Sequence, residues 1–189
     1  MQHDFTQGNI TKQLVVFSVP IMLTNLLQVS YQFIDSLWIG NLLGADALGA
    51  VTVASTVVVT VLAFIIGINH ATLTILSQQK GKKDKQGLKN YLNAFVVLLS
   101  TMSIAAGVAG YFVAEKILLF MNTPQDLLQD ATAYLQINFF GILFIMGYNF
   151  ISTVLRSLGD SKTPLKFVFI AVILNAVLDP LFIAGFQWG

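Results

Sequence analysis

The stretch that decides the fold is residues 14–39, LVVFSVPIMLTNLLQVSYQFIDSLWI, an apolar run with an aspartate, Asp35, near its end. About 20 apolar residues suffice for a helix to cross the hydrocarbon core of a bilayer. A second run, residues 165–186, carries Asp179. A carboxylate inside a span costs about 3 kcal/mol or more, and such residues usually face a cavity and handle ions or protons. The sequence therefore predicts a membrane protein of several spans with two functional acids.

The composition points to the same class. Hydrophobic residues make up 56% of the 189 residues and charged residues only 10%, whereas soluble domains carry about 25% charged residues. The absence of cysteine excludes disulfides, thiolate metal sites and cysteine nucleophiles. The polar N-terminus lacks the pattern of a cleaved signal peptide. We expect neither an organic cofactor nor a nucleic-acid partner.

Five spans are predicted, so the expected fold class is an all-α membrane protein. Their approximate limits are residues 14–39, 47–77, 91–114, 131–155 and 165–186. Several exceed the length that a bilayer requires, which indicates tilt or extension into water. Residues 115–130 are interpreted as the longest loop between spans.

The charges predict the orientation. Nine of the ten basic residues, all except Lys116, fall on one side of these spans. By the positive-inside rule that side is cytoplasmic, as is the N-terminus, and we expect a multi-pass protein of the plasma membrane. Five lysines lie within residues 78–90. We interpret this cluster as a solvated loop that sets the topology, with contact to anionic lipid as the alternative.

The polar residues of the first span lie on one stripe. They are Ser18, Asn25, Gln28, Gln32 and Asp35. Their spacing places them within an arc of roughly 100° on a helix, so the stripe faces protein or water and is expected to line a cavity. Hydrogen bonding between helices is the alternative for the amides. It explains Asp35 poorly, because the only basic residue within a predicted span, Lys166, lies at the very start of the fifth span, whereas Asp35 lies near the end of the first.

The fifth span carries Asn175 and Asp179, four residues apart and hence on one helix face. Pro180 follows directly and removes a backbone donor, which frees a carbonyl near the carboxylate. An acid, an amide and a carbonyl are hard oxygen ligands for Na⁺, or acceptors for a proton. A kink with a buried amide contact is the alternative. In the fourth span, Asn138 and Asn149 share nearly one face, and a lone asparagine there more often joins helices.

Two prolines mark where helices bend or begin. Pro20 is expected to kink the first span below the polar stripe, as a hinge or as a static bend. Thr123 and Pro124 predict the start of the fourth helix, with the threonine hydroxyl as N-cap and the proline at the first helical position.

Three stretches together resemble a known family. They are QFIDSLWIG at residues 32–40, LGADAL at residues 43–48 and LRSLGDSKTP at residues 155–164. With Asn175, Asp179 and Pro180, they are similar to the multidrug and toxic compound extrusion (MATE) transporters, in particular the bacterial DinF-like branch. The likeness covers essentially the whole chain. Asn69 and His70 depart from it, because the family usually has small residues there.

The resemblance implies an antiporter, not an enzyme, that exports cationic or amphipathic drugs in exchange for H⁺ or Na⁺. It implies twelve helices in two six-helix lobes, of which residues 1–189 would be a partial N-lobe lacking the sixth helix and the C-terminal half. Asp35, Asn149, Asn175 and Asp179 would bind the cation, with Na⁺ at Asp35, Asn175 and Asp179, and Pro20 would be the bend linked to protonation. Alone, such a fragment is expected to be inert.

Two other functions are weighed against this one. A related flippase for lipid-linked sugars would favour basic residues in its cavity to meet pyrophosphate, and only Lys166, at the margin of the fifth span, is basic within these spans. An intramembrane aspartyl protease also needs two membrane aspartates. The sequences around Asp35 and Asp179 do not match the motifs of such enzymes, so this alternative is the weaker one.

Overall fold

The computed structural model describes residues 8–186, and the chain is helical through most of that range. The helices are α1 (Ile10–Leu42), α2 (Ala45–Gly81), α3 (Lys85–Phe120), α4 (Gln125–Ser157) and α5 (Lys162–Pro180), the last followed by a π-helical turn (Leu181–Gly185). All five are long and apolar enough to cross a membrane. The predicted fold class and the number of spans are therefore confirmed.

The helices extend beyond the predicted spans at most of their ends. The 37 residues of α2 amount to about 55 Å at ~1.5 Å per residue, against a hydrocarbon core of about 30 Å. The expected long loop at residues 115–130 was wrong, because α3 continues to Phe120 and α4 begins at Gln125. A hydropathy pattern detects the part of a helix inside hydrocarbon, whereas its polar continuation is set by capping.

The turn between α3 and α4 corrects the predicted cap. The Thr123 hydroxyl donates to the carbonyl oxygen of Leu118 at 2.8 Å, and its backbone N–H donates to the same oxygen at 3.1 Å. Thr123 therefore closes the end of α3, and the first helical residue of α4 is Gln125, not Pro124. Asn122 takes a left-handed conformation with φ of 56°, which terminates α3 sharply.

The described chain divides into two compact units. One comprises residues 8–45 and 155–186, in which α1 packs against α5. The other, residues 46–154, comprises α2, α3 and most of α4. Its core is formed by small and apolar side chains, which are Ala50, Ala54, Val57, Ile65, Leu99, Ala114, Leu118, Ala131, Leu135, Phe139, Ile142 and Met146.

Glycines let α3 approach α4 closely within the second unit. A Cβ added at Gly107 would lie 2.9 Å from the backbone oxygen of Phe139, and one at Gly110 would overlap the Phe139 ring. That ring is only 4% exposed. Small residues at such contacts are the usual means by which membrane helices pack, because lipid provides no hydrophobic drive for association.

Exposed hydroxyls on α2 are bonded within the helix itself. Thr52, Thr56 and Thr60 each donate to the carbonyl four residues earlier, at 2.7, 3.1 and 2.8 Å. A threonine in a helix commonly satisfies its hydroxyl in this way. These three side chains therefore need no partner outside their own helix.

The start of α5 is fixed by Asp160. Its Oδ1 accepts from the backbone N–H of Lys162 at 3.1 Å and of Thr163 at 3.0 Å, and its Oδ2 accepts from the Thr163 hydroxyl at 2.6 Å. Gly159 precedes it with φ of 83°, a conformation that favours glycine. Burial by itself raises the pKa of Asp160, but the hydrogen bonds from Thr163 and Lys162 outweigh it and hold that pKa below its ordinary value.

Candidate cation site

The two membrane aspartates come together between α1 and α5. Asp35 and Asp179 belong to the same unit, and their carboxylates are close enough to interact electrostatically. Both side chains are half-buried. Neither forms an ion pair with any residue in the described range 8–186, so two like charges face each other without a basic partner. The structure therefore shows the proximity that ion coupling requires; the role of the acids as cation ligands stays a prediction.

The oxygen atoms beside Asp179 point to a ligand. The Asn175 side chain lies beside the Asp179 carboxylate, one turn earlier on the same face of α5. Asn175 Oδ1 and Asp179 Oδ2 are buried, and neither has a hydrogen-bond partner. A buried acceptor without a donor costs about 1–3 kcal/mol. A proton on the carboxylate or a bound Na⁺ would satisfy these atoms, so the donor set fits the predicted cation.

Pro180 changes the helix next to Asp179. It has no N–H to donate to the carbonyl of Ala176, and the chain continues as the π-helical turn Leu181–Gly185. Such turns inside helices are frequent at functional sites. The sequence-based expectation of a disturbed backbone beside the acid agrees with this turn, although the predicted ion contact of a freed carbonyl is untested.

The three amides of the α1 stripe lie at the surface of the described chain. Asn25, Gln28 and Gln32 are exposed, and among residues 8–186 none of their side chains bonds to another helix. The alternative of amides joining neighbouring helices therefore gains no support within the described chain. Their lining of a cavity stays a prediction.

Pro20 lies inside α1, which runs on as a helix past it. The proline is buried, and its carbonyl accepts a hydrogen bond from the Thr24 hydroxyl at 2.7 Å. Pro20 itself cannot donate to the carbonyl of Val16, so this part of α1 is weaker than a regular helix. Its function as a hinge is untested.

The two asparagines of α4 bond to their own helix. The Asn138 amide nitrogen donates to the Tyr134 carbonyl at 2.9 Å, and that of Asn149 donates to the Ile145 carbonyl at 2.8 Å. Both residues lie in the second unit. These bonds leave the amide oxygens to other partners, and the participation of Asn149 in the cation site stays a prediction.

A buried asparagine on α2 was not predicted as a site residue. Asn69 is 8% exposed, and its Oδ1 is buried without a hydrogen-bond partner. It shares a helix face with the buried residues Ile65, Thr72 and Leu76. In the sequence, Asn69 is noted only as a departure from the family pattern. Its position four residues after Ile65, on the same helix face, was the signal that could have predicted its burial.

An apolar groove lies between α1 and α5. Its volume is about 580 Å³, and it is lined by Leu23, Leu26, Leu27, Leu165, Lys166, Phe169 and Ile170. Pockets for drug-sized ligands measure about 300–1,000 Å³ and are mainly apolar. The groove therefore has a suitable size and lining for part of an amphipathic molecule.

The sequence profile of the MatE family matches residues 20–181. The chain belongs to the MatE family. It is 66% identical over 187 residues to the probable multidrug resistance protein YpnP of Bacillus subtilis (strain 168), covering 99% of this chain and 42% of that protein. The chain thus spans less than half the length of this relative.

Solved structures share the fold. A MOP superfamily transporter from Pyrococcus furiosus superposes with a TM-score of 0.89 at 24% identity, over 96% of this chain and 40% of that one. A structure described as MATE in the straight conformation gives 0.88 at 25% identity, over 96% and 40%. The family consists of transporters, as the sequence predicted, and neither the flippase nor the protease alternative gains support.

Proposed function

We propose that this chain forms part of a cation-coupled antiporter that exports amphipathic or cationic compounds across the plasma membrane. The observation that carries the proposal is the pair Asp35 and Asp179, two half-buried acids that lie near each other on α1 and α5 with no basic partner among residues 8–186. Such an arrangement is unfavourable unless a cation neutralises it. The relative YpnP is named as a multidrug resistance protein, which supports the same kind of substrate.

The proposed cycle follows from the charges. With both acids ionised, their repulsion favours separation of α1 from α5. A proton or Na⁺ shared by Asp35, Asp179 and the Asn175 oxygen removes that repulsion and favours closer packing. Proton and Na⁺ compete because they use the same oxygen atoms. Coupling further requires that the cation and the drug prefer different conformations, since a ligand with equal affinity for both shifts nothing.

The drug is proposed to contact the apolar groove as well as the polar stripe of α1. The groove accepts an apolar moiety, because its lining is apolar throughout. A cationic group would instead be oriented towards the amides of the stripe, Asn25, Gln28 and Gln32. The export of molecules with separate apolar and cationic parts is therefore expected to be the most efficient.

The test is efflux by the complete transporter, reconstituted in liposomes under separate Na⁺ and H⁺ gradients. Asp35→Asn and Asp179→Asn each keep the side-chain shape but remove a charge, and we expect each to reduce gradient-driven efflux at least about tenfold, which corresponds to about 1.4 kcal/mol. Asp46→Asn is the matched control, because Asp46 is an exposed acid in the first turn of α2. Efflux by both variants at the control rate would refute the assignment. The gradient that drives export identifies the coupling ion.

A further inference from the structure

Four exposed lysines surround the turn between α2 and α3. We define the lysine patch as Lys82, Lys83, Lys85 and Lys89, all of them exposed. Backbone hydrogen bonds hold this turn. Lys82 N–H donates to the Gln78 carbonyl at 2.9 Å, and Asp84 N–H donates to the Gln79 carbonyl at 3.1 Å. The four charges are therefore displayed by a compact hairpin.

The charge of the lysine patch is not neutralised by the chain. Within residues 78–90 the only acid is Asp84. Its Oδ1 accepts from the backbone N–H of Gly87 at 2.8 Å, which commits it to capping α3. Throughout the described residues, none of the four lysines forms an ion pair. The patch thus presents four positive charges that form no ion pair within residues 8–186.

The lysine patch adjoins an apolar surface. On α3, Lys85 and Lys89 share a face with Val96, which lies seven residues after Lys89. Val96 is 43% exposed and its neighbour Val97 is 66% exposed. The separation from Lys89 to Val96 along the helix is about 10 Å at ~1.5 Å per residue. Cationic side chains next to exposed apolar ones match a phospholipid, whose headgroup and acyl chain follow each other at this distance.

We propose that the lysine patch binds anionic phospholipid headgroups of the adjacent leaflet, with acyl chains lying along the Val96 face of α3. Clusters of lysine directly beside a transmembrane helix attract anionic lipid, and the attraction decays within a Debye length. A soluble acidic protein or a nucleic acid would use the charges but leave the apolar face unexplained. The inference is independent of the cation site, because it involves neither Asp35 nor Asp179.

The test measures lipid retained by the purified transporter after delipidation in detergent. Native mass spectrometry counts the molecules of dioleoyl-phosphatidylglycerol and dioleoyl-phosphatidylcholine that bind from an equimolar mixture. We expect a clear preference for phosphatidylglycerol, with each patch lysine contributing roughly fivefold at low salt. Replacing all four lysines by glutamine should abolish the preference. The corresponding Lys→Arg variant keeps the charge and should retain it.

A matched control neutralises basic residues elsewhere. The variant K12Q/K162Q/K166Q removes three of the other basic residues predicted on the same side of the membrane, and it should keep most of the preference. Salt provides a measurement on the unmodified protein: at ~1 M NaCl, where the Debye length falls to about 3 Å, the preference should vanish. A preference that survives high salt overturns the proposal. So does an equal loss in the control and in the four-lysine glutamine variant.

Discussion

The close approach of α3 and α4 yields a prediction with a defined magnitude. Gly110→Ala places a methyl group inside the space occupied by the buried Phe139 ring. The ring is enclosed by the core of the second unit, so the helices must separate or the side chain must leave its rotamer. Overpacking of this kind costs about 1–3 kcal/mol. At about 2–4 °C per kcal/mol for a chain of this size, we expect the melting temperature to fall by roughly 2–12 °C.

The assay is thermal unfolding of the detergent-solubilised protein, followed by circular dichroism. Gly141→Ala is the control, because nothing lies within 4 Å of a Cβ there; it should leave stability unchanged or raise it, since alanine favours helix over glycine.

A second variant tests the cause. Phe139→Ala should relieve most of the overpacking cost of Gly110→Ala, because it removes the obstructing Cγ, Cδ1 and Cε1 atoms. It should not relieve Gly107→Ala, whose added methyl meets the Phe139 backbone oxygen at 2.9 Å. Equal melting temperatures for the Gly110→Ala and Gly141→Ala variants would refute the packing argument, as would rescue of both glycine variants by Phe139→Ala.

Three further outcomes are expected. Asp160→Ala should lower the free energy of unfolding by about 0.5–2 kcal/mol through loss of the α5 cap. Because the folded-state pKa of Asp160 is lowered, this contribution is present above about pH 4 and disappears as acid titrates the folded carboxyl. The difference in the free energy of unfolding between pH 7 and pH 3 should therefore be smaller in the variant. Asn122→Val should destabilise by about 1–2 kcal/mol, because valine is disfavoured at φ of 56°, whereas Asn122→Gly should not, as denaturant titration can show. Pro20→Ala should preserve folding, measured by circular dichroism, but reduce gradient-driven efflux if the weakened segment of α1 acts as a hinge.

The sequence predicts the helices well and their ends poorly. Five apolar runs correspond to five helices, because exclusion from water dominates the choice of residues inside a bilayer. The end of α3 depends instead on one hydroxyl of Thr123 and one left-handed residue, Asn122. Such local hydrogen bonds leave no periodic signal, and the same threonine satisfied an N-cap pattern equally well.

The candidate site, too, could be predicted only in part from the sequence. The free-energy cost of an unpaired acid in hydrocarbon singled out Asp35 and Asp179, and the family resemblance suggested that they share a site. Their meeting between α1 and α5 is a tertiary contact, which periodicity within one helix cannot reveal. Asn69, in contrast, is a buried polar residue that the sequence did not single out as a site residue. Its burial depends on the neighbours of α2, and a lone amide in a span is compatible with many surroundings.

The threonines at positions 52, 56 and 60 affect how readily the surface of α2 contacts hydrocarbon. Each hydroxyl proton is already engaged by a carbonyl of the same helix, so none of the three donors is left unsatisfied in an apolar environment. A hydropathy scale that assigns these residues an unfavourable term for their hydroxyl oxygen atoms therefore overstates the free energy of transferring them into hydrocarbon. The face they form can contact acyl chains, or another apolar helix, without breaking any of these hydrogen bonds.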